Sequence, residues 1–233
     1  MRRSPGNSAV GAWKMPQAAL VVLLLAGSVA LGGCAGVLRN LDPAKQAAAR
    51  YVSDTPPEIA LFTVILGNYG VHSALMVNGD HRVVYDPAGG WRDREGFSDG
   101  DLRYAMSPQR LARYLAYSTR RGREVIIHRR AVSQEIANQA IAALEQRRPF
   151  PTGFCAIAAG RVLAQLPGFE GLPVSFGPLR LMRAFATQGE TRMEILDSDG
   201  IRIATPQDRA RLEGVDPSVV PPGACVDAAE AAG

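Results

Sequence analysis

Three side chains in this sequence have the types that nucleophilic acyl chemistry needs: Cys155, His72 and Asp86. A thiol attacks as the thiolate, so it needs a base within hydrogen-bond reach, and the base needs a third group to orient it. Cys155 follows Pro151-Thr152-Gly153-Phe154 and opens an Ala-rich apolar stretch, which predicts a helix over residues 154–166. That puts the thiol in the first turn, where the partial positive charge of the helix N-terminus favours a thiolate. Helical spacing sets Cys155, Ala158, Ala159, Val162 and Leu166 on one face, which must pack on a sheet. Two plainer readings compete with the catalytic one. Cys155 is a buried structural cysteine, or it is bridged to Cys225, which an oxidising compartment permits.

His72 is the candidate base. It lies near the start of an apolar segment just after the turn Gly67-Asn68-Tyr69-Gly70. Residues 71–77 and 81–86 flank Asn78-Gly79-Asp80, a hairpin signal. With those three residues as the loop, Val77 faces His81 and His72 faces Asp86, close enough for a carboxylate–imidazole hydrogen bond. A two-residue loop instead sets Tyr85 opposite His72 and turns Asp86 to the other face. His81 is the competing third group, but its place beside the turn points it to solvent. His128, in a strand beside Arg129 and Arg130, reads as a surface or sheet-packing residue.

These residues need elements to hold them. A short helix over residues 41–51 is stopped by Pro56-Pro57, and the β-branched and aromatic run 58–66 is a strand. Residues 87–101 are Gly-rich and charged and read as a loop. Ser107-Pro108 caps a helix reaching about residue 119. A strand over 124–132, a helix after Ser133 and a helix over 179–187 follow. Residues 191–196 and 201–204 flank Asp197-Ser198-Asp199-Gly200, a hairpin turn that lacks the regular oxygen spacing of a calcium loop. From residue 205 the chain is polar and reads as a flexible tail. The pattern is α+β, with a mostly antiparallel sheet packed against helices. Trp91, after Gly89-Gly90, lines a groove or anchors the loop. No zinc-ligand spacing and no phosphate-binding glycine loop occurs, so no cofactor is expected.

The N-terminal segment carries a different signal. Arg2, Arg3 and Lys14 precede an apolar run over residues 18–31, which ends in Leu31-Gly32-Gly33-Cys34. This is a signal peptide with small residues before the cleavage point. The run is shorter than the roughly 20 residues of a spanning helix. An ordinary secretory signal or a short anchor is the competing reading. The three cations lie in the signal, so the whole-chain charge of +4 falls to +1 for the rest. A nucleic-acid partner or a polybasic membrane role loses its support. The chain thus divides into a signal over residues 1–33, a tether and short helix over 34–57, a domain over 58–204 and a tail over 205–233.

Leu31-Gly32-Gly33-Cys34 resembles the bacterial lipobox, which implies a diacylglyceryl group on Cys34 and a membrane anchor on the periplasmic side of the cell envelope. Ala35 in place of Asp leans towards the outer membrane. The segments Phe62-Thr63-Val64, Val71-His72-Ser73-Ala74-Leu75-Met76-Val77, Val84-Tyr85-Asp86-Pro87-Ala88-Gly89 and Pro151-Thr152-Gly153-Phe154-Cys155-Ala156 resemble a group of proteobacterial envelope proteins. These in turn resemble the permuted branch of the NlpC-like papain-fold superfamily, with the lecithin:retinol acyltransferase relatives, in which the strand histidine precedes the helix cysteine. The resemblance spans roughly residues 58–185. It implies a papain-like domain with Cys155 as nucleophile, its N–H helping to hold an oxyanion, His72 as general base and Asp86 as orienting group. The activity implied is hydrolysis or transfer at an amide or ester, on peptidoglycan peptides or lipid acyl groups. The rival class is a non-catalytic binding module on the same fold.

Overall fold

In the computed structural model the described residues are 42–92, 94–95, 97–147 and 149–214. Among them lie eight strands and six helices, and the strands form a single antiparallel sheet. Helix α1 (Pro43–Ala48) leads into β1 (Glu58–Leu66), β2 (Tyr69–Asn78) and β3 (Arg82–Tyr85). Two short strands follow, β4 (Ser98–Asp99), inside the stretch read from sequence as a loop, and β5 (Leu102–Arg103), just after it. Then come α2 (Pro108–Ser118), β6 (Glu124–Ala131), α3 (Gln134–Glu145), α4 (Cys155–Leu163), α5 (Pro178–Ala186), β7 (Arg192–Asp197), β8 (Gly200–Ile203) and α6 (Pro206–Glu213). The strand order is β4-β5-β3-β2-β1-β6-β7-β8.

The α+β class is therefore as the sequence implies. Helix α6 is a departure, because the chain from residue 205 was expected to be a flexible tail. Thr205 and Asp208 form a capping box at its start, and Leu212 is buried, which is enough to fix two turns of an otherwise polar segment. Residues 215–233, Cys225 among them, lie outside the described residues, as do residues 1–41 with Cys34.

Side chains alternate across the sheet, so its two faces carry two cores. On one face Ile59, Leu61, Leu75 and Val77 pack with Ala137, Ile141, Ala158, Ala159, Val162, Leu181 and Phe185 from α3, α4 and α5. On the other, Ala60, Phe62, Val64, Ala74 and Met76 pack with Tyr114 and Leu115 of α2. Helix α2 starts where Ser107 accepts from the Arg110 N–H, with Pro108 just inside. Helix α3 starts in the same way on Ser133.

The β2–β3 hairpin differs from its sequence reading. Asn78 was expected in the loop, with Val77 opposite His81. Instead Val77 pairs with Val83 and Asn78 with Arg82, so the loop is Gly79-Asp80-His81. Asn78 is drawn into the strand because its side-chain amide donates to the carbonyls of Thr55 and Pro56, each at 3.0 Å. Gly79 passes under α3, where a Cβ would lie 2.6 Å from Asn138 Oδ1. His81 was expected in solvent and is buried. Its ring stacks on Tyr104 at 6.1 Å and its Nε2 lies 3.7 Å from Glu145.

His128 is a sheet-packing residue, 2% exposed and edge-on to Phe185. Burial, aided by nearby Arg209, pushes its pKa down from 6.5 to about 4. The unfolded chain then takes up the proton first, so stability is complete above pH 6.5 and is lost as pH falls through about 4. The full loss is about 3 kcal/mol. Urea unfolding between pH 7 and 4 should show this slope, and His128→Gln should flatten it.

Candidate functional site

The structure brings His72 and Asp86 together. His72 lies on β2 opposite Val64, just past a bulge that shifts the β1–β2 register between Val64 and Ile65. Asp86 follows the last residue of β3. In the observed register Asp86 is not directly opposite His72, as the sequence reading had it. Leu75 faces Tyr85, which sets Asp86 one step along, on the diagonal from His72. The hairpin slid by an even number of positions, so Asp86 kept His72's face of the sheet. A diagonal neighbour is within reach of a ring as long as imidazole. The His72 Nε2–Asp86 Oδ1 distance is 2.7 Å.

Asp86 is 2% exposed and holds its charge through several partners. Burial alone would raise its pKa. The hydrogen bond and charge of His72, then Arg103, then the Tyr114 hydroxyl outweigh burial and hold it below the ordinary value. Tyr114 donates to the same Oδ1 at 2.9 Å, and an Arg103 nitrogen stands 3.8 Å from Oδ2. Tyr114's own pKa is driven well up, first by burial and then by Asp86. Helical spacing sets Tyr114 on one face of α2 with Leu111 and Leu115 and says nothing of where its hydroxyl ends up.

The chain after Asp86 wraps the carboxylate. Gly89 N–H donates to the Asp86 carbonyl at 3.1 Å, and Ala88 takes a φ of 58° to make the turn. A Cβ on Gly89 would lie 2.0 Å from Asp86 Oδ2, so only glycine fits. Trp91 proves to be a loop anchor. It meets the Tyr114 ring edge-on at 5.5 Å and lies under the Arg110 guanidinium at 5.3 Å. His72, Asp86, Gly89, Gly90, Tyr114 and Ser118 are among the residues around a cavity of about 20 Å³, room for one water.

The carboxylate accepts at Nε2, which assigns the neutral imidazole proton to that nitrogen and leaves the lone pair on Nδ1. The site can therefore take a hydrogen bond or a proton. Two of the hydroxyls around it are already engaged: Tyr114 donates to Asp86, and Ser118 donates to the Tyr114 carbonyl at 3.1 Å.

Cys155 is not brought to this site. It is fully buried at the start of α4, after Gly153 at a φ of 91°, and it is disulfide-bonded. Helix α4 packs into the core on the Leu75–Val77 face, whereas His72 shares its face with Ala74 and Met76. The sheet thus stands between the helix and the imidazole, and no α4 residue lines the His72 cavity. The thiol–imidazole contact expected from sequence is absent for this reason. Strand parity turned His72 to the opposite face. Among the described residues no group of three or more His, Cys, Asp or Glu is placed to hold a metal, and no helix is long and apolar enough to cross a membrane.

No family model, curated protein or solved structure matches the chain.

Gly89→Ala should displace the carboxylate and destabilise the fold by about 2 kcal/mol or more, seen as a lower melting temperature. Tyr114→Phe should cost about 1.5–3 kcal/mol by the loss of one bond to a charged group. Long-range 15N NMR should find His72 protonated at Nε2, with the tautomers mixed in Asp86→Ala.

Proposed function

We propose that the protein is a cell-envelope lipoprotein, anchored through lipidated Cys34, whose domain binds an envelope component and uses Cys155 structurally. The domain is read as a permuted papain-like scaffold, on the strength of the His72-before-Cys155 order and a helix packed on an antiparallel sheet. One observation carries the choice of binding over acyl transfer. Cys155 is disulfide-bonded, on a helix packed against the sheet face that His72 does not share. A disulfide sulfur has no free thiolate, and an acyl-enzyme route needs both the thiolate and a base in reach. The ligand would be a peptidoglycan or lipid fragment, as the compartment suggests.

The thiol hydrolase or acyltransferase reading has one observation in its favour, the preformed His72–Asp86 pair. Alkylation of Cys155 separates the two. A structural cysteine resists labelling in non-reduced full-length protein. After reduction it labels with an ordinary thiol pH profile that His72→Ala leaves unchanged. Fast labelling below pH 7 without reductant, abolished by His72→Ala, would sink the binding reading. Cys155→Ser should cost about 2–4 kcal/mol of stability. Cys34→Ala should abolish incorporation of labelled palmitate and release the protein from membranes, which tests the anchor separately.

A further inference from the structure

The end of the sheet where β1 turns into β2 has an unusual surface. Seven large apolar side chains are exposed among the described residues, and four of them, Leu66, Tyr69, Val174 and Phe176, each 44–54% exposed, lie on the two segments that come together here. Leu66 and Tyr69 are paired across the β1–β2 turn. Gly70 is pressed against the start of α5, where a Cβ would lie 2.9 Å from Leu179 and 3.0 Å from Pro178. That contact brings the turn beside the segment that carries Val174 and Phe176. Phe176 rests edge-on against Phe154 at 5.2 Å, so its ring is supported from below and presented outward.

Cations flank these tips. Ile65 pairs with Glu124, which sets the α2–β6 turn, with exposed Arg120 and Arg121, next to the β1–β2 turn. Arg120 lies over the Tyr117 ring at 3.8 Å, and Arg180 is exposed on the first turn of α5. Glu124, opposite Ile65, is taken up by Arg211 at 2.7 Å. Asp197 and Asp199 lie at the β7–β8 turn, two strands across from β1 at the same end of the sheet. Apolar tips on turns, with aromatic rings among them and arginines around them, match a lipid interface. The rings and aliphatic tips enter the headgroup–acyl boundary while guanidinium groups meet phosphates.

We propose that this end of the domain is a membrane-contacting surface that inserts Leu66, Tyr69, Val174 and Phe176 into a bilayer containing anionic phospholipid. It is a contact of the folded domain and does not depend on lipidation of Cys34. The proposal names a lipid surface as the envelope component bound, and so gives the binding reading its ligand.

The described residues of the fold all lie within 38–233, so this stretch can be used without the signal segment. Co-sedimentation of this stretch should show binding to vesicles of phosphatidylcholine with one quarter phosphatidylglycerol. Binding should be about tenfold weaker on pure phosphatidylcholine and should weaken with added salt. Tyr69→Asp with Phe176→Asp should lower binding about tenfold or more, at an unchanged melting temperature. Arg120→Glu and Arg180→Glu should each cost about fivefold. Ile201→Asp with Ile203→Asp, on the exposed strand β8, should leave binding unchanged. The proposal is overturned by binding that ignores lipid charge, by no binding at all, or by equal loss in the β8 variant. Full retention in the Tyr69/Phe176 variant also overturns it and leaves this surface to a protein partner. Cys155 labelling is unaffected by any of these results, so the structural-cysteine reading stands or falls separately.

Discussion

A buried charge has to be compensated or the fold around it fails, and Asp86 is that charge here. Its compensation comes from three separate pieces of chain. His72 reaches it from β2, Tyr114 from α2 and Arg103 from β5, and the loop closes over it at Gly89. The backbone around it is also committed, since Asp86 N–H donates to the Asp101 carbonyl at 2.8 Å. Trp91 and Arg110 then pin the loop to α2. Removing the carboxylate would leave a buried tyrosine hydroxyl without an acceptor and a histidine without its orienting group. The α2 side of the sheet is in this sense built on one ionised group.

The opposite face follows another logic. Small residues on α4, together with α3 and α5, let helices lie close on the central strands, and the resulting core is apolar. Cys155 belongs to this side by its helix and is covalently tied. A single sheet thus separates the two residue types that acyl chemistry would need side by side. The arrangement at His72 can accept a proton or a hydrogen bond, but it has no thiol in its cavity. The binding reading proposed above rests on this separation, and the exposed apolar end of the sheet is the surface proposed for it.

Much of the α+β plan was legible in sequence. The 58–66 strand is a run of β-branched and aromatic residues, and its bounds agree with β1. Ser107-Pro108 and Ser133 are local capping signals that need no tertiary information, and both helices start there. The His72–Asp86 pair was legible through parity, although the predicted register was two positions off. His81 and the loop were misread because Asn78 looks like a turn residue. Only its bonds to Thr55 and Pro56, brought in from before β1, show why it stays in the strand. Helix α6 was missed because its sequence is polar, and only one residue, Leu212, is buried to hold it.

Residue type and local spacing determined where most of the helices and strands form and which face of each is apolar, and with a three-residue loop they set His72 and Asp86 on one side. These properties depend on neighbours within a few positions, so the chain carries them openly. Which side of the sheet α4 occupies, where Tyr114 points, and whether Cys155 can meet His72 were decided only in the tertiary structure. Helix placement over a sheet is a choice between two apolar faces, each able to bury it, and alternation along β1 and β2 makes both faces hydrophobic. No pattern within a strand distinguishes them, and packing of the whole domain settles the matter.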